Sequence, residues 1–218
     1  MAYPSIFFAT AAYIVGSIPF GKLIAGYVAH IDITRRGSGN IGATNVAREI
    51  GMKWGIITLI LDMLKGLVPM SVFALHTSES GTSYEIALAG IGLCALLGHM
   101  FPLFLKFRGG KGVATALGIY LVMSPLSCLC GLILFLLVVA IWDFVSLGSL
   151  IAACAIPLFL ILFGKPYPFI AVSLVMAVLI CFKHRENIRQ LIRGEERKWK
   201  KKGHQPKNSI SLSNSSSE

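Results

Sequence analysis

Six stretches of this chain run apolar for so long that they settle its surroundings: 4–29, 53–75, 84–106, 112–142, 146–163 and 166–182. The hydrocarbon core of a bilayer is about 30 Å thick, and a helix crosses it with roughly 20 predominantly apolar residues. A water-soluble core has no room to shield six such segments on every side, whereas lipid solvates them directly. The remaining composition agrees. Hydrophobic residues make up 55% and charged residues 14%, where a soluble domain carries about a quarter charged. The expected fold class is all-α, a polytopic membrane protein.

The number of spans turns on 112–142, which is 31 residues long and interrupted by Ser124-Pro125. Proline removes a backbone donor and biases its predecessor away from helix, so this site and Gly164-Lys165-Pro166 both read as turns. Charge arbitrates. Arg35, Arg36, Arg48 and Lys53 fall in loop 30–53, and Lys106, Arg108 and Lys111 in loop 106–111, while loop 76–85 holds only Glu79 and Glu85. From Lys183 onward ten Lys or Arg face four Glu, a local charge of +6. Cytoplasmic loops carry the Lys/Arg excess. Loop 106–111 and the tail then share one side, which requires an even number of crossings between them. A split at Ser124-Pro125 supplies four and one long helix three. The expectation is about seven transmembrane helices, the fourth of them short, with the N-terminus outside and the C-terminus cytoplasmic. Residues 1–197 form the integral membrane domain, and 198–218 a basic, then Ser-rich, disordered tail. The first apolar run has no basic residue before it and is expected to stay as a membrane helix rather than a cleaved signal.

Cys94, Cys128, Cys130, Cys154 and Cys181 all lie inside apolar runs, without metal-ligand spacing. They read as small, buried, reduced hydrophobes. No metal and no cofactor is indicated. The basic tail would suit nucleic acid in isolation; beside a membrane segment it reads as an anchor near anionic lipid, so no nucleic-acid partner is expected.

The stretch RRGSGNIGATNVAR, 35–48, contains G-x-G-x-x-G. A dinucleotide fingerprint needs a preceding strand and a βαβ unit, and here the flanks are membrane helices. A phosphate cradle needs neither. Gly37, Gly39 and Gly42 would let backbone N–H groups face one point. Ser38, Asn40, Thr44 and Asn45 add neutral donors, and Arg48 a planar charged fork. A helix starting near 42 would bring its N-terminal dipole to an anion. The glycines alone would equally suit a tight re-entrant turn; the added polar residues favour a site.

Two further loops belong to the same face. Gly109-Gly110-Lys111-Gly112 fails Walker A spacing but places one point charge among flexible positions. In KHRENIRQLIRGEE, 183–196, His184 and Asn187 share a helix face at i and i+3; Glu186 with Arg189 or Gln190 reads as surface pairing. Ser146 and Ser149 start the sixth span and would cap it or reach a ligand. His99 is expected to make an interhelical hydrogen bond, and Asp62 with Lys65, at i and i+3 inside the second span, a structural ion pair.

Together GSIPFGKLIAG (16–26), GSGNIGATNVAR (37–48), GHMFPLFLKFRGGKGVAT (98–115), VSLGS (145–149) and KHRENIRQLIRGEE (183–196) resemble the bacterial membrane acyl-phosphate:glycerol-3-phosphate acyltransferase family, in order, over about residues 3–197. Gln190, where the family more often has a basic residue, and the Ser-rich tail depart from it. The resemblance implies a seven-helix protein of the bacterial cytoplasmic (inner) membrane whose site opens to the cytosol. It implies transfer of a fatty acyl group from acyl phosphate to the 1-hydroxyl of glycerol 3-phosphate, releasing lysophosphatidic acid and phosphate, the first acylation of phospholipid synthesis. Neither acyl-CoA nor acyl carrier protein serves directly. The H-x-x-x-x-D motif of other glycerol-phosphate acyltransferases is missing from the family and from this chain: Phe104 stands five positions after His99, and Arg189 after His184.

On this resemblance Ser38, Arg48, Lys111, His184 and Asn187 are the catalytic residues. Gly37, Gly39, Asn40, Gly42, Thr44, Asn45, Gly109, Gly110, Ser146 and Ser149 bind substrate or its phosphates. Acyl phosphate is already an activated anhydride, so positioning and electrostatics would carry the acceleration without a protein nucleophile. Two rivals remain at the level of the residues. A transporter for a phosphate-bearing anion predicts polar groups near the midplane or on both faces; a purely structural membrane component leaves the loop composition unexplained.

Overall fold

The structure, a computed structural model, describes residues 2–78 and 80–200. Among these it is helical throughout: α1 Ala2–Gly16, α2 Phe20–Ala29, α3 Ala43–Ile50, α4 Met52–His76, α5 Thr82–Met100, α6 Val113–Met123, α7 Pro125–Trp142, α8 Val145–Leu162, α9 Tyr167–Lys183 and α10 Arg185–Arg193. Glu79 and most of the expected tail, 201–218, lie outside the described residues.

Five stretches are long and apolar enough to cross a membrane alone: α1 with α2, α4, α5, α7 and α8. α9 joins them when taken with α10, which bends away from it by 59°. The first run does not stay one straight helix. Pro19 has no N–H to offer, and the chain leaves helical geometry between Gly16 and Phe20. The run 112–142 is divided as expected. Ser124 leaves helical geometry, its hydroxyl accepts from the Ser127 amide, and Pro125 takes the first position of α7. The two halves fold back on one another. Val113 and Phe135 line the same cavity, and the Cys128 thiol donates to the Leu117 carbonyl. In one continuous helix residues 113 and 135 would stand roughly 33 Å apart. α6, with 11 residues, spans only about half the hydrocarbon thickness. It avoids lipid by burying Ala116, Gly118, Ile119, Tyr120 and Met123 against its neighbours.

The helices meet through small residues, as membrane helices do when packing rather than hydrophobicity drives association. A Cβ at Gly98 of α5 would collide with the Tyr13 carbonyl oxygen of α1, and one at Gly16 with the Ala95 carbonyl oxygen. Gly66 and Gly118 let α4 and α6 approach equally closely. The same α1–α5 corner is tied by the Tyr13 hydroxyl, which donates to the Phe101 carbonyl at 2.7 Å. Gly98→Val is therefore expected to cost about 1–3 kcal/mol by overpacking, read as a lower thermal midpoint in detergent; an unchanged midpoint would show that the two backbones are not in contact. Elsewhere α7 presents Leu129, Ile133, Leu136 and Leu137 outward, each about half exposed, a surface suited to lipid.

Inside the bundle the Lys65 ammonium lies 2.7 Å from Asp62 Oδ1, both side chains almost wholly buried. His99 Nδ1 adds a contact at 3.4 Å to Lys65 Nζ and 3.6 Å to Asp62. The expected ion pair and interhelical histidine bond are thus one cluster joining α4 and α5. The cysteines are all free, but only Cys128 is buried; Cys154 is exposed on α8. Its thiol lies 3.8 Å from that of Cys181 on α9.

Candidate active site

The loop from Arg36 to Gly42 is shaped by its own side chains. Gly37 and Gly39 take positive φ, 58° and 69°, a region that costs a side chain energy. Asn45 sits beneath, 3% exposed. Its Oδ1 accepts from the Ser38 amide at 3.0 Å, while its Nδ2 donates to the carbonyls of Arg36 at 3.1 Å and Asn40 at 2.8 Å. Asn40 Oδ1 in turn accepts from the Gly42 amide, and the Gly39 amide donates to the Arg36 carbonyl. Asn40, Asn45 and the amides of 38, 39 and 42 therefore build the loop. What the loop presents is the Ser38 hydroxyl and the first turn of α3. There Ala43 and Thr44 line the cavity; first-turn amides have no partner within their helix and carry the positive end of its dipole. Arg48, one turn on, completes this side.

Gly109 and Gly110 fold onto the end of α5. Their amides donate to the carbonyls of Met100 and His99, and a Cβ at Gly110 would strike the His99 ring. The two glycines thus supply close approach, which lays Lys111 across the cavity. Burial pushes the Lys111 ammonium below its usual range; Glu196 opposes that shift and Arg48 adds to it.

The opposite wall comes from α8 and the α9–α10 bend. Lys111 Nζ donates to Asn187 Oδ1. Asn187 Nδ2 donates to both oxygens of Glu196, at 2.9 and 3.1 Å, and the Ser146 hydroxyl donates to Glu196 Oε1 at 2.7 Å. An ammonium only donates and a carboxylate only accepts, so the Asn187 amide has a single orientation here. His184 is buried, and its Nδ1 meets the Ile180 carbonyl at 2.8 Å. A carbonyl only accepts, so Nδ1 carries the proton and Nε2 is left as an acceptor.

These walls enclose one cavity of about 160 Å³. Ser38, Asn40, Gly42, Thr44, Asn45, Arg48, Lys111, Ser146, Ser149, His184 and Asn187 all line it. Gly37, Gly39 and Gly109 line its wider mouth, about 420 Å³, and Gly110 lines neither. Ser149 donates to the Val145 carbonyl within its own helix. The expected pairing of Glu186 with Arg189 is present at 3.3 Å and exposed. Three ionisable lining residues were not among the expected site residues: Asp62, His99 and Glu196. The first two are intramembrane ionisable groups, which was the available signal. Glu196 gave no signal beyond its place at the end of a quoted stretch.

A second cavity, about 150 Å³ and almost wholly apolar, adjoins the first. Leu59, Val113, Ala114, Phe135 and Ser149 line both. It runs between α6, α7 and α8 toward Tyr120 and Cys128. A chamber with Arg48 and Lys111 in its wall therefore continues directly into a greasy one.

Burial, with the Lys111 charge, lowers the His184 pKa from 6.5 to about 4. The folded protein then refuses a proton that the unfolded chain accepts near pH 6.5, so stability falls as pH drops from about 6.5 toward 4 and is untouched by this group above that window. Thermal midpoints between pH 7.5 and 4.5 should show that loss in the wild type and a flatter profile in His184→Asn. Equal slopes would mean His184 is charged in the fold.

Residues 6–194 match the family model described as glycerol-3-phosphate acyltransferase. The glycerol-3-phosphate acyltransferase of Geotalea daltonii is 50% identical over 190 residues, covering 87% of this chain and 95% of that protein. The enzyme of the same name from Geobacter sulfurreducens is 50% identical over 189 residues, 87% of this chain and 94% of that protein. Among solved structures, the glycerol 3-phosphate form of PlsY, an integral membrane glycerol 3-phosphate acyltransferase, superposes with a TM-score of 0.84 at 38% identity, covering 89% of this chain and 95% of that one. Its lysophosphatidic acid form gives 0.82. The motifs, the helical membrane fold and these matches agree: this chain belongs to the glycerol-3-phosphate acyltransferase family.

Proposed function

We propose that the protein transfers a fatty acyl group from acyl phosphate to the 1-hydroxyl of glycerol 3-phosphate, releasing 1-acyl-glycerol 3-phosphate and inorganic phosphate at the cytoplasmic face of the bacterial inner membrane. The observation that carries this reading is the direct continuation of the polar cavity that holds Arg48 and Lys111 into the apolar one. Acyl phosphate has a phosphate and an alkyl chain on either side of one carbonyl. Its chain fits between α6, α7 and α8, which places the carbonyl near the shared residues Val113 and Ser149 and the phosphate among Ser38, Thr44, Arg48 and Lys111. Glycerol 3-phosphate enters from the mouth lined by Arg48, Lys111 and Asn187.

The hydroxyl oxygen of glycerol 3-phosphate attacks the carbonyl carbon, the C–O bond to phosphate breaks, and phosphate leaves. The hydroxyl proton passes to a phosphate oxygen of the substrate. His184 Nε2 and Asn187 Oδ1 are acceptors that orient the glycerol backbone through its neighbouring 2-hydroxyl, which leaves the single 1-hydroxyl proton to the phosphate oxygen; Lys111 and Arg48 take up charge as it moves onto the leaving phosphate. The Gly-rich and basic stretches that line the chamber and its mouth gather at one end of the bundle, which favours transfer over the transporter reading, since that predicts such loops on both faces.

Donor choice is the test. Purified protein given glycerol 3-phosphate should form lysophosphatidic acid with palmitoyl phosphate and none with palmitoyl-CoA. Equal product from both donors would remove the acyl-phosphate assignment and leave the acceptor unaffected. Near-wild-type kcat in both His184→Ala and Asn187→Ala would remove their assigned roles.

A further inference from the structure

Arg48 is held by the segment that follows α10. After α10 the chain turns at Gly194, φ 70°, and runs back across the mouth of the cavity. The Arg197 and Lys198 carbonyls accept from Arg48 Nη2 at 3.1 and 3.4 Å. The Trp199 ring lies against the guanidinium, 5.8 Å from its carbon to the ring centroid. The segment is latched at its far end. The Trp199 amide donates to the Asp143 carbonyl at 2.8 Å, and the Lys200 amide donates to the Asp143 carboxylate at 3.1 and 3.3 Å. Asp143 closes α7 in the left-handed region, φ 65°, so its place is set by the α7–α8 turn. Glu196, on the same segment, reaches inward to Asn187 and Ser146.

An arginine side chain has five N–H donors and several rotatable bonds. Two carbonyls on Nη2 and the aromatic ring restrict the side chain, and the Nε and Nη1 N–H groups, which point to different sides, remain as single donors for an anion. We infer that Trp199, latched through Asp143, is a positioning residue for Arg48: it holds the guanidinium in the geometry that grips the phosphate of glycerol 3-phosphate. The inference rests on the proposed function, in which Arg48 binds that phosphate.

The test compares Trp199→Phe, Trp199→Leu and Trp199→Ala by steady-state kinetics, with glycerol 3-phosphate binding by calorimetry as a second readout. Phenylalanine keeps an aromatic face and leucine only apolar bulk. The leucine and alanine variants should raise KM and Kd for glycerol 3-phosphate about tenfold with kcat within about twofold, and phenylalanine should recover most of the loss. Equal behaviour of leucine and phenylalanine would reduce Trp199 to packing and overturn the inference, as would a wild-type KM in Trp199→Ala. Should Trp199→Ala not fold, Asp143→Gly carries the same test. It keeps the positive φ and the backbone bond to the Trp199 amide, removes the side chain whose carboxylate meets the Lys200 amide, and should raise KM in the same direction; an unchanged KM would refute the latch through the carboxylate. A wild type that binds glycerol 3-phosphate but transfers no acyl group would fail the proposed reaction, and the binding comparison would still decide the role of Trp199.

Discussion

Replacing Lys111 with methionine is expected to lower kcat/KM for acyl transfer by about a hundredfold to a thousandfold. Methionine keeps the stem that lies over the Gly109–Gly110 turn and removes only the ammonium. That ammonium faces the cavity from a half-buried position, donates to Asn187 and shares the chamber with Arg48. A charge aimed at a leaving phosphate in a water-poor site acts mainly in the transition state, where loss of one such donor costs roughly 3–4 kcal/mol. The loss should fall mostly on kcat. A Lys111→Arg enzyme should recover only part of it, because the fork cannot occupy the space of a point charge in the same turn. Phosphate release under saturating substrates reads this directly. A Lys111→Met enzyme within tenfold of wild type would place the transition-state charge elsewhere, with Arg48 the next group to test.

The second large effect concerns stability. Asp62→Leu should destabilise the bundle by about 3–5 kcal/mol, because it leaves the Lys65 ammonium buried without its partner. The double variant Asp62→Leu/Lys65→Met should regain most of that loss, since paired apolar groups of similar size carry no desolvation penalty. Thermal midpoints of the three proteins in one detergent check it. Additive losses in the double variant would mean that each side chain is held by other partners. Asp62 and His99 also border the cavity, so the double variant separates the requirements of the fold from those of turnover.

Much of this was readable before the structure. The long apolar runs became helical, two of them as broken pairs, because a membrane leaves the backbone no other way to satisfy its N–H and C=O groups. Ser124-Pro125 could be recognised as a turn because proline chemistry and the charge balance of the flanking loops agreed. Ser38, Arg48, Lys111, His184 and Asn187 could be gathered from three distant stretches and do line one cavity. The division of labour inside the Gly-rich loop was not readable. Asn40 and Asn45 look like ligand donors by residue type, and only the three-dimensional pairing with the Arg36 and Asn40 carbonyls assigns them to the loop itself. Gly109 and Gly110 likewise suggested amides open to phosphate, whereas their amides meet the end of α5. Glu196 was hidden for an electrostatic reason. A carboxylate among cations at a helix end is ordinarily a solvated surface group, and nothing local says that the chain turns at Gly194 and carries it inward.

The central claim is that one chamber brings acyl phosphate and glycerol 3-phosphate together for direct transfer. The most direct measurement is the stoichiometry of phosphate release against lysophosphatidic acid formation by purified protein in lipid mesophase, with each substrate supplied alone and then both together. The account predicts release only when both are present, one phosphate for each lysophosphatidic acid, and none of either product in Ser38→Ala or Lys111→Met beyond a small residue. Phosphate release from acyl phosphate alone, or lysophosphatidic acid without matching phosphate, would contradict it.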